Sequence, residues 1–474
     1  MNLKMPTEKE VRAAYRQGED AVVALFHQIT TQVAEIGEEL AKQTSAIVAL
    51  QAQTAKNSSN SGKPPSSDGY SKPNAPKRTT SQRKKSGKST GGQTGHKCGC
   101  SLKDEQISGH EKRQVFHVPQ IHIEVNTHQT EIKICPACGT KNKGDFPHNV
   151  TQPTQYGSGV KTWASYFSTQ HFIPTARILQ IFKDLTGHGV SEATVLKSCR
   201  QLSEKVSPTM SAIKTILLQS PVVCFDEPGI RVEGRLHWLH NASTDTVTYY
   251  IIDPKRGQIA IENMEILPNY TGTACHDHWK PYFSYDNCKH SLCNAYHLRE
   301  LDFLEKQYQQ SFASKMADLL LEINQAKYES EADSFSPIIL ESYQQRYDAI
   351  LEEGFSTNPE KPPDPNKKSK RGRTKQSPVY NMLKRLRDFK EAVLAFMYDF
   401  RALFTNNQAE QDVRMLKVKL KVSGCFRSLT GAEEFVENRA YVSTVRKNDL
   451  NVFQAIQAAF EDKAFIQQFP VRIM

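Results

Sequence analysis

Pro221-Val-Val-Cys-Phe-Asp226 and Thr271-Gly-Thr-Ala-Cys-His-Asp277 are short apolar runs that each end on an aspartate. Their residue types and length read as strands. Residues 235–240 and 246–252 have the same β-rich content, so Asp226 is expected to end the first of three adjacent strands. Acids at neighbouring strand ends come within reach of one another, and carboxylate oxygens so placed can share a hard divalent cation. The third carboxylate has to come from elsewhere. Asn406-Asn-Gln-Ala-Glu-Gln-Asp-Val-Arg414 opens a helical pattern that runs to Gly424, with Val413, Leu416 and Leu420 as its apolar stripe. Arg414, Lys417 and Lys421 fall on one exposed face, so Glu410 can point at the sheet while basic neighbours face phosphates. Asp286, Asp412 and Glu227 compete for the ligand role on the same grounds.

A chain of 474 residues exceeds one ordinary core, so two or more domains with linkers are expected. Lys and Arg number 61 against 51 Asp and Glu, a net charge of +10 that favours a polyanionic partner. Nothing in the chain reaches the roughly 18 apolar residues of a membrane span, and the apolar stretch 21–26 is shorter than that of a signal peptide. A cytoplasmic protein without a membrane partner is expected. Ten cysteines in a chain this long do not make a disulfide framework, which leaves reduced thiols, some of them metal-bound.

Upstream of the strands the organisation changes several times. Val22, Phe26, Ile29, Val33, Ile36, Leu40, Ile47 and Leu50 alternate steps of four and three, with Gln43 in the gap. That heptad seam predicts a coiled-coil helix over 1–56 and a homodimer or larger assembly through it. Asn, Ser, Gly and Pro in 57–70 stop the helix, and a disordered basic linker is expected over 57–90. Arg83, Lys84 and Lys85 lie in a stretch without acids, from Tyr70 to Lys103, suited to sequence-independent phosphate attraction.

Between 91 and 150 come His96, Cys98, Cys100, His110, His117, His122, His128 and then Cys135-Pro-Ala-Cys-Gly139. Two thiolates two residues apart, with a glycine completing the turn, form half of a structural Zn²⁺ site. Cys98 and Cys100, or histidines such as His117, can supply the other half. Residues 151–220 read as a helix-turn-helix-like segment, 175–185 then 191–202 with Ser191 as N-cap. No sequence-specific base readout is assigned to it. A catalytic domain over 221–428, with a helical insertion at about 300–395, and a C-terminal helical region over 429–474 complete the chain.

These pieces together resemble the IS-sixty-six family of insertion-sequence transposases. The matching stretches are Asn60-Ser-Gly-Lys-Pro-Pro-Ser-Ser-Asp68, Gly92-Gln-Thr-Gly-His96, Cys135-Pro-Ala-Cys-Gly139, Phe225-Asp-Glu227, the strand ending at Asp277, Cys293-Asn-Ala-Tyr-His-Leu-Arg-Glu300 and Asn406-Asn-Gln-Ala-Glu410. The resemblance implies an α/β fold: an RNase H-like catalytic domain of Asp-Asp-Glu type with a helical insertion, preceded by a coiled-coil helix and a small zinc-binding domain. The family's metal-binding acids map to Asp226, Asp277 and Glu410. The chain departs from the family pattern at Pro228, commonly Thr, and at Glu410-Gln411, where the family commonly has Glu-Arg.

The implied chemistry is cleavage of insertion-sequence ends and their joining to target DNA by phosphoryl transfer, with two Mg²⁺ (or Mn²⁺) ions activating the nucleophile and stabilising the leaving oxygen. Accessory proteins of the same element are possible partners. The alternatives are an inactive DNA-binding remnant or regulator, or a structure-specific nuclease of the same fold.

Overall fold

A computed structural model of the chain describes residues 6–28, scattered positions from 30 to 43, residues 111–362 and residues 374–465. Helix α1 (Glu8–Gln17) starts at a capping box in which the Thr7 and Glu10 side chains each bond the other's backbone. Residues 19–28 are helical too, and Phe26 of the expected seam is 66% exposed there. Ile29, Val33, Ile36, Leu40, Ile47 and Leu50 lie outside the described residues, as do the basic linker with Arg83, Lys84 and Lys85, and His96, Cys98, Cys100 and His110. Strands β1 (Ile132–Ile134) and β2 (Lys141–Lys143) pair as a small antiparallel hairpin.

Helices α2 (Ser158–Thr169), α3 (Thr175–Thr186) and α4 (Glu192–Gln219) follow. Ser191 caps α4, its hydroxyl accepting the Thr194 N–H at 3.2 Å. This helix is 28 residues long and continues well past Leu202, where the sequence reading ended it. The reason is that apolar spacing persists: Leu202, Val206, Ile213 and Leu217 are all buried in the core that covers the sheet. The second helix of the pair is therefore a long support for the sheet.

The sheet holds β3 (Val222–Asp226), β4 (Gly229–Val232), β5 (Arg235–Ser243), β6 (Thr248–Asp253), β7 (Thr273–His276) and β8 (Lys289–Leu292). It is mixed: β3, β4 and β6 pair antiparallel with β5, whereas β3 with β7 and β7 with β8 are parallel. Trp238 of β5 faces both Gly229 and Asp253, so β4 and β6 flank β5 on opposite sides, and β3 shares the side of β4. Pro228, without an N–H to donate, separates β3 from β4. β3 and β7 are buried almost throughout, as parallel strands in the middle of a sheet are covered on both faces. Helix α5 (Gln258–Met264) lies in the crossover between β6 and β7.

After β8 the chain leaves the sheet for α6 (Asn294–Tyr308), α7 (Ser311–Glu329), α8 (Pro337–Thr357), α9 (Pro378–Asp388) and the short α10 (Lys390–Val393) and α11 (Ala395–Tyr398). These helices have a core of their own around Phe312, Met316, Leu320, Tyr347, Leu383 and Phe396. The excursion returns to where it began. Asn294 N–H donates to the Phe404 carbonyl at 3.0 Å, and Asn406 N–H to Cys293 Sγ at 3.1 Å. An insertion whose ends meet can be long without disturbing the sheet. Helices α12 (Asn407–Ser423), α13 (Leu429–Lys447) and α14 (Val452–Phe460) then pack back against the sheet's core. Among the described residues no helix is long and apolar enough to cross a membrane.

Candidate active site

The parallel pairing of β3 with β7 sets Val222 opposite Thr273 and Cys224 opposite Cys275. That offset of 51 residues carries Asp226 onto Asp277, one step past the end of β7. The two acids thus stand level at the same ends of neighbouring strands, with backbones roughly 5 Å apart. Each is partly buried and held by a nearby backbone amide: Asp226 Oδ1 accepts from Glu227 N–H at 2.9 Å, and Asp277 Oδ1 from Trp279 N–H at 2.9 Å.

Glu410 arrives on the first turn of α12. Asn406, the residue before that helix, donates from its side chain to the Phe225 carbonyl at 2.7 Å, which ties the start of α12 to the end of β3. Ala409 is fully buried against Cys224 and Cys275, the residues two positions before each aspartate. A small side chain there lets the helix backbone approach the strand ends. Glu410 is partly buried, and its Oε1 accepts a hydrogen bond from Tyr296 Oη at 2.6 Å.

Both aspartates respond to the charges around them. Burial, reinforced chiefly by the charge of Asp277 and slightly by Glu410, pushes the Asp226 pKa up to about 6, while Lys417 opposes the rise. Burial also raises Asp277, with Glu410 adding and Arg256 opposing. All the donors are oxygens, a set that suits a hard cation, and cation binding would relieve this mutual repulsion. Among the described residues no three His, Cys, Asp or Glu side chains are gathered closely enough to hold a metal ion. Glu410 is engaged instead by Tyr296.

The competing acids have other partners or none of the setting. Glu227 is buried, receives Arg256 Nη2 at 2.6 Å on one oxygen and Tyr282 Oη on the other, and its proton affinity is raised first by burial and then by Asp277 and Asp226. Asp412, two residues from Glu410, points the other way and pairs with Lys447 Nζ at 2.7 Å. Asp286 is exposed. Further along α12, Arg414 and Lys421 are exposed, whereas Lys417 is partly buried and its charge reaches Asp226. Pro228 keeps its carbonyl bonded to Leu239 N–H at 3.0 Å, and Gln411 is exposed.

Three contributors had no role in the sequence reading: Tyr296, Asn406 and Arg256. The first two sit inside motifs at 293–300 and 406–410, which marked them as noteworthy without saying why. Arg256 lies in a loop with no motif, and only its contacts identify it.

The cysteine pair forms a compact turn between β1 and β2. Cys135 N–H donates to the Thr140 carbonyl at 2.8 Å, and Gly139 N–H to the Cys135 carbonyl at 2.9 Å. Gly139 has φ +66°, a left-handed conformation that explains glycine at this position. Hydrogen bonds from Thr140 and then Cys135 lower the Cys138 thiol to about 7, toward the thiolate a metal needs. His117, His122, His128 and His148 are exposed, and among the described residues none joins the pair in a metal-binding group.

A family profile described as "Transposase IS66 family" matches residues 153–434, and one described as "Family of unknown function (DUF6444)" matches residues 6–100. Among solved structures, "Crystal structure of the catalytic domain of Mos1 mariner transposase" matches at 13% identity and a TM-score of 0.12, over 44% of this chain and 97% of that one. No curated protein matches the chain.

Proposed function

Because the chain belongs to the IS66 family of transposases, we propose that it cleaves the ends of an insertion sequence and joins them to target DNA, using Asp226, Asp277 and Glu410. The observation that carries this reading is the level placement of Asp226 and Asp277 on parallel neighbours, with Ala409 setting the Glu410 helix against the same two strands. Four strands joined by antiparallel pairing, β3 to β6, extended by the parallel β7 and β8, support an RNase H-like catalytic domain, interrupted between β8 and α12 by the helical insertion.

In this reading the three carboxylates hold two Mg²⁺ (or Mn²⁺) ions. Bound there, the ions would lower the pKa of an attacking water or 3′-hydroxyl and stabilise the departing oxygen. The chain's own residues prepare the site. Tyr296 fixes one oxygen of Glu410, leaving the other free to turn toward the aspartates. Two backbone amides orient the aspartates, and Lys417 offsets part of the negative charge at Asp226. Arg414 and Lys421, on the exposed side of the same helix, are placed to meet phosphates beside the reacting one.

The remaining parts have supporting roles. Cys135 and Cys138 hold a structural Zn²⁺, with ligands completed from elsewhere in 91–150, and Arg83, Lys84 and Lys85 add general DNA attraction. The seam beginning at Val22 joins two or more chains so that both element ends are held together. The site of action is the cytoplasm, where the DNA is.

The test is cleavage and strand joining on the element's own ends with Mg²⁺ or Mn²⁺. Asp226→Ala, Asp277→Ala and Glu410→Ala should each abolish both steps while DNA binding persists, since each removes a metal ligand and not a phosphate contact. Substantial residual activity in any one variant would reassign that position. Cleavage without any joined product would favour a nuclease of the same fold.

A further inference from the structure

Arg256 lies just beyond β6 and touches the immediate surroundings of both aspartates. Its Nη2 and Nε donate to Glu227 Oε1 at 2.6 and 3.2 Å, and Glu227 is the residue directly after Asp226. Its guanidinium lies 4.5 Å from the ring centroid of Trp279 and 5.0 Å from that of Trp238. Trp279 in turn supplies the backbone N–H that holds Asp277 Oδ1 at 2.9 Å. A single planar cation therefore joins the segment after Asp226 to the segment after Asp277.

The arrangement is demanding. Glu227 is only 3% exposed, so removing its cationic partner leaves an acid in an apolar setting. Tyr282 Oη bonds the other Glu227 oxygen, and its ring lies 5.4 Å from that of Trp279 at 81°, which closes a circuit of Arg256, Glu227, Tyr282 and Trp279. Arginine suits the position because its flat fork stacks on indoles while its edge donates to a carboxylate, which lysine cannot do at the same time. A purely structural clamp would have no reason to reach both acid-bearing segments. This one does, through Glu227 and Trp279.

We propose that Arg256 is a positioning residue for the metal site, holding Asp226 and Asp277 in register through Glu227 and Trp279. The proposal rests on the reading of Asp226, Asp277 and Glu410 as ligands. Partners behind the ligands of a metal site typically change metal affinity by about 10–100-fold when removed.

The experiment uses the full-length protein without DNA and measures Mn²⁺ binding by the electron paramagnetic resonance signal of the free ion, alongside melting temperature. The Mn²⁺ concentration giving half-maximal cleavage is measured separately. Arg256→Ala should bind Mn²⁺ about 10–100-fold more weakly and need correspondingly more Mn²⁺ for cleavage, with the maximal rate falling less than the affinity. Arg256→Lys should fall between wild type and Arg256→Ala. Wild-type Mn²⁺ affinity in Arg256→Ala, with affinity lost in Asp226→Ala, would overturn the positioning role and leave the ligand assignment standing. Equal Mn²⁺ binding by wild type and Asp226→Ala would overturn the ligand assignment and the proposal with it. Should Arg256→Ala fail to fold, Arg256→Lys decides: weaker Mn²⁺ binding by the folded protein supports the role, and unchanged binding overturns it.

Discussion

Tyr296 Oη lies 2.6 Å from Glu410 Oε1, across 114 residues of sequence. Tyr296 is on the first helix of the insertion and Glu410 on the first helix after it, so the bond fastens the insertion to the candidate site. A hydrogen bond to a charged group contributes about 1.5–3 kcal/mol. If Tyr296 holds Glu410 for the reaction, Tyr296→Phe should slow cleavage by about 10–100-fold, since each 1.4 kcal/mol is tenfold in rate. The lost bond also lowers folding stability, so the rate is measured well below the melting temperature of the variant. A variant as fast as wild type would show that Glu410 does not need this partner.

His297, the next residue, is buried, and its Nδ1 lies 2.9 Å from Asn294 Oδ1. Burial foremost, then the charges of Arg385 and His278, hold its pKa well below the usual histidine value of 6.5. Below pH 6.5 the unfolded chain therefore takes up a proton that the folded chain refuses. Stability should fall as pH drops, by up to about 1.4 kcal/mol per unit for this one group. Urea midpoints measured at pH 7 and pH 5 check it: His297→Asn should show a shallower loss over that interval than wild type. Linked protonations add, so an unchanged loss would show that His297 does not resist protonation in the folded protein.

The cysteine turn yields a prediction about metal content. Wild-type protein should carry about one Zn²⁺ per chain, and Cys135→Ser or Cys138→Ser should each release it and unsettle the region from 96 to 148, because structural zinc supplies folding energy. Elemental analysis of purified wild-type protein decides first; finding no zinc there ends the idea.

The heptad seam makes a prediction about mass. Ile36→Asp together with Leu40→Asp would place unpaired carboxylates at adjacent seam positions, which separates paired helices. Light scattering should show the double variant shifting to monomer with its catalytic domain still folded. The same mass for both proteins would mean that another surface joins the chains.

The strands that carry Asp226 and lead to Asp277 were legible from the chain itself. An apolar run stopped by an aspartate reads as a strand end in any context, because strand formation there depends on local side-chain type and turn residues. The span of α12 is equally local: the expected start at Asn406 and stop at Gly424 bracket the helix Asn407–Ser423, since caps and apolar spacing act within a few residues. β4 was missed because Glu227-Pro228 looks like the end of a strand, although the chain resumes pairing with β5 immediately afterwards. The far end of α4 was missed because its continuation is rewarded only by burial against the sheet.

Relations between distant segments belong to the tertiary structure alone. Parallel pairing brings Asp226 level with Asp277, and a slip of one residue would have turned one of them to the opposite face. Glu410 and Asp412 sit on one helix with equal local claims; the rotation set by burying Ala409, Val413 and Leu416 sends the first to Tyr296 and the second to Lys447. Arg256 acquires its partners only when three loops converge. The sequence by itself determined which residue types were present and which short elements they form, because propensity, capping and periodicity are short-range effects. Which acids face one another, and what holds them, was decided by packing between elements that are remote in the chain.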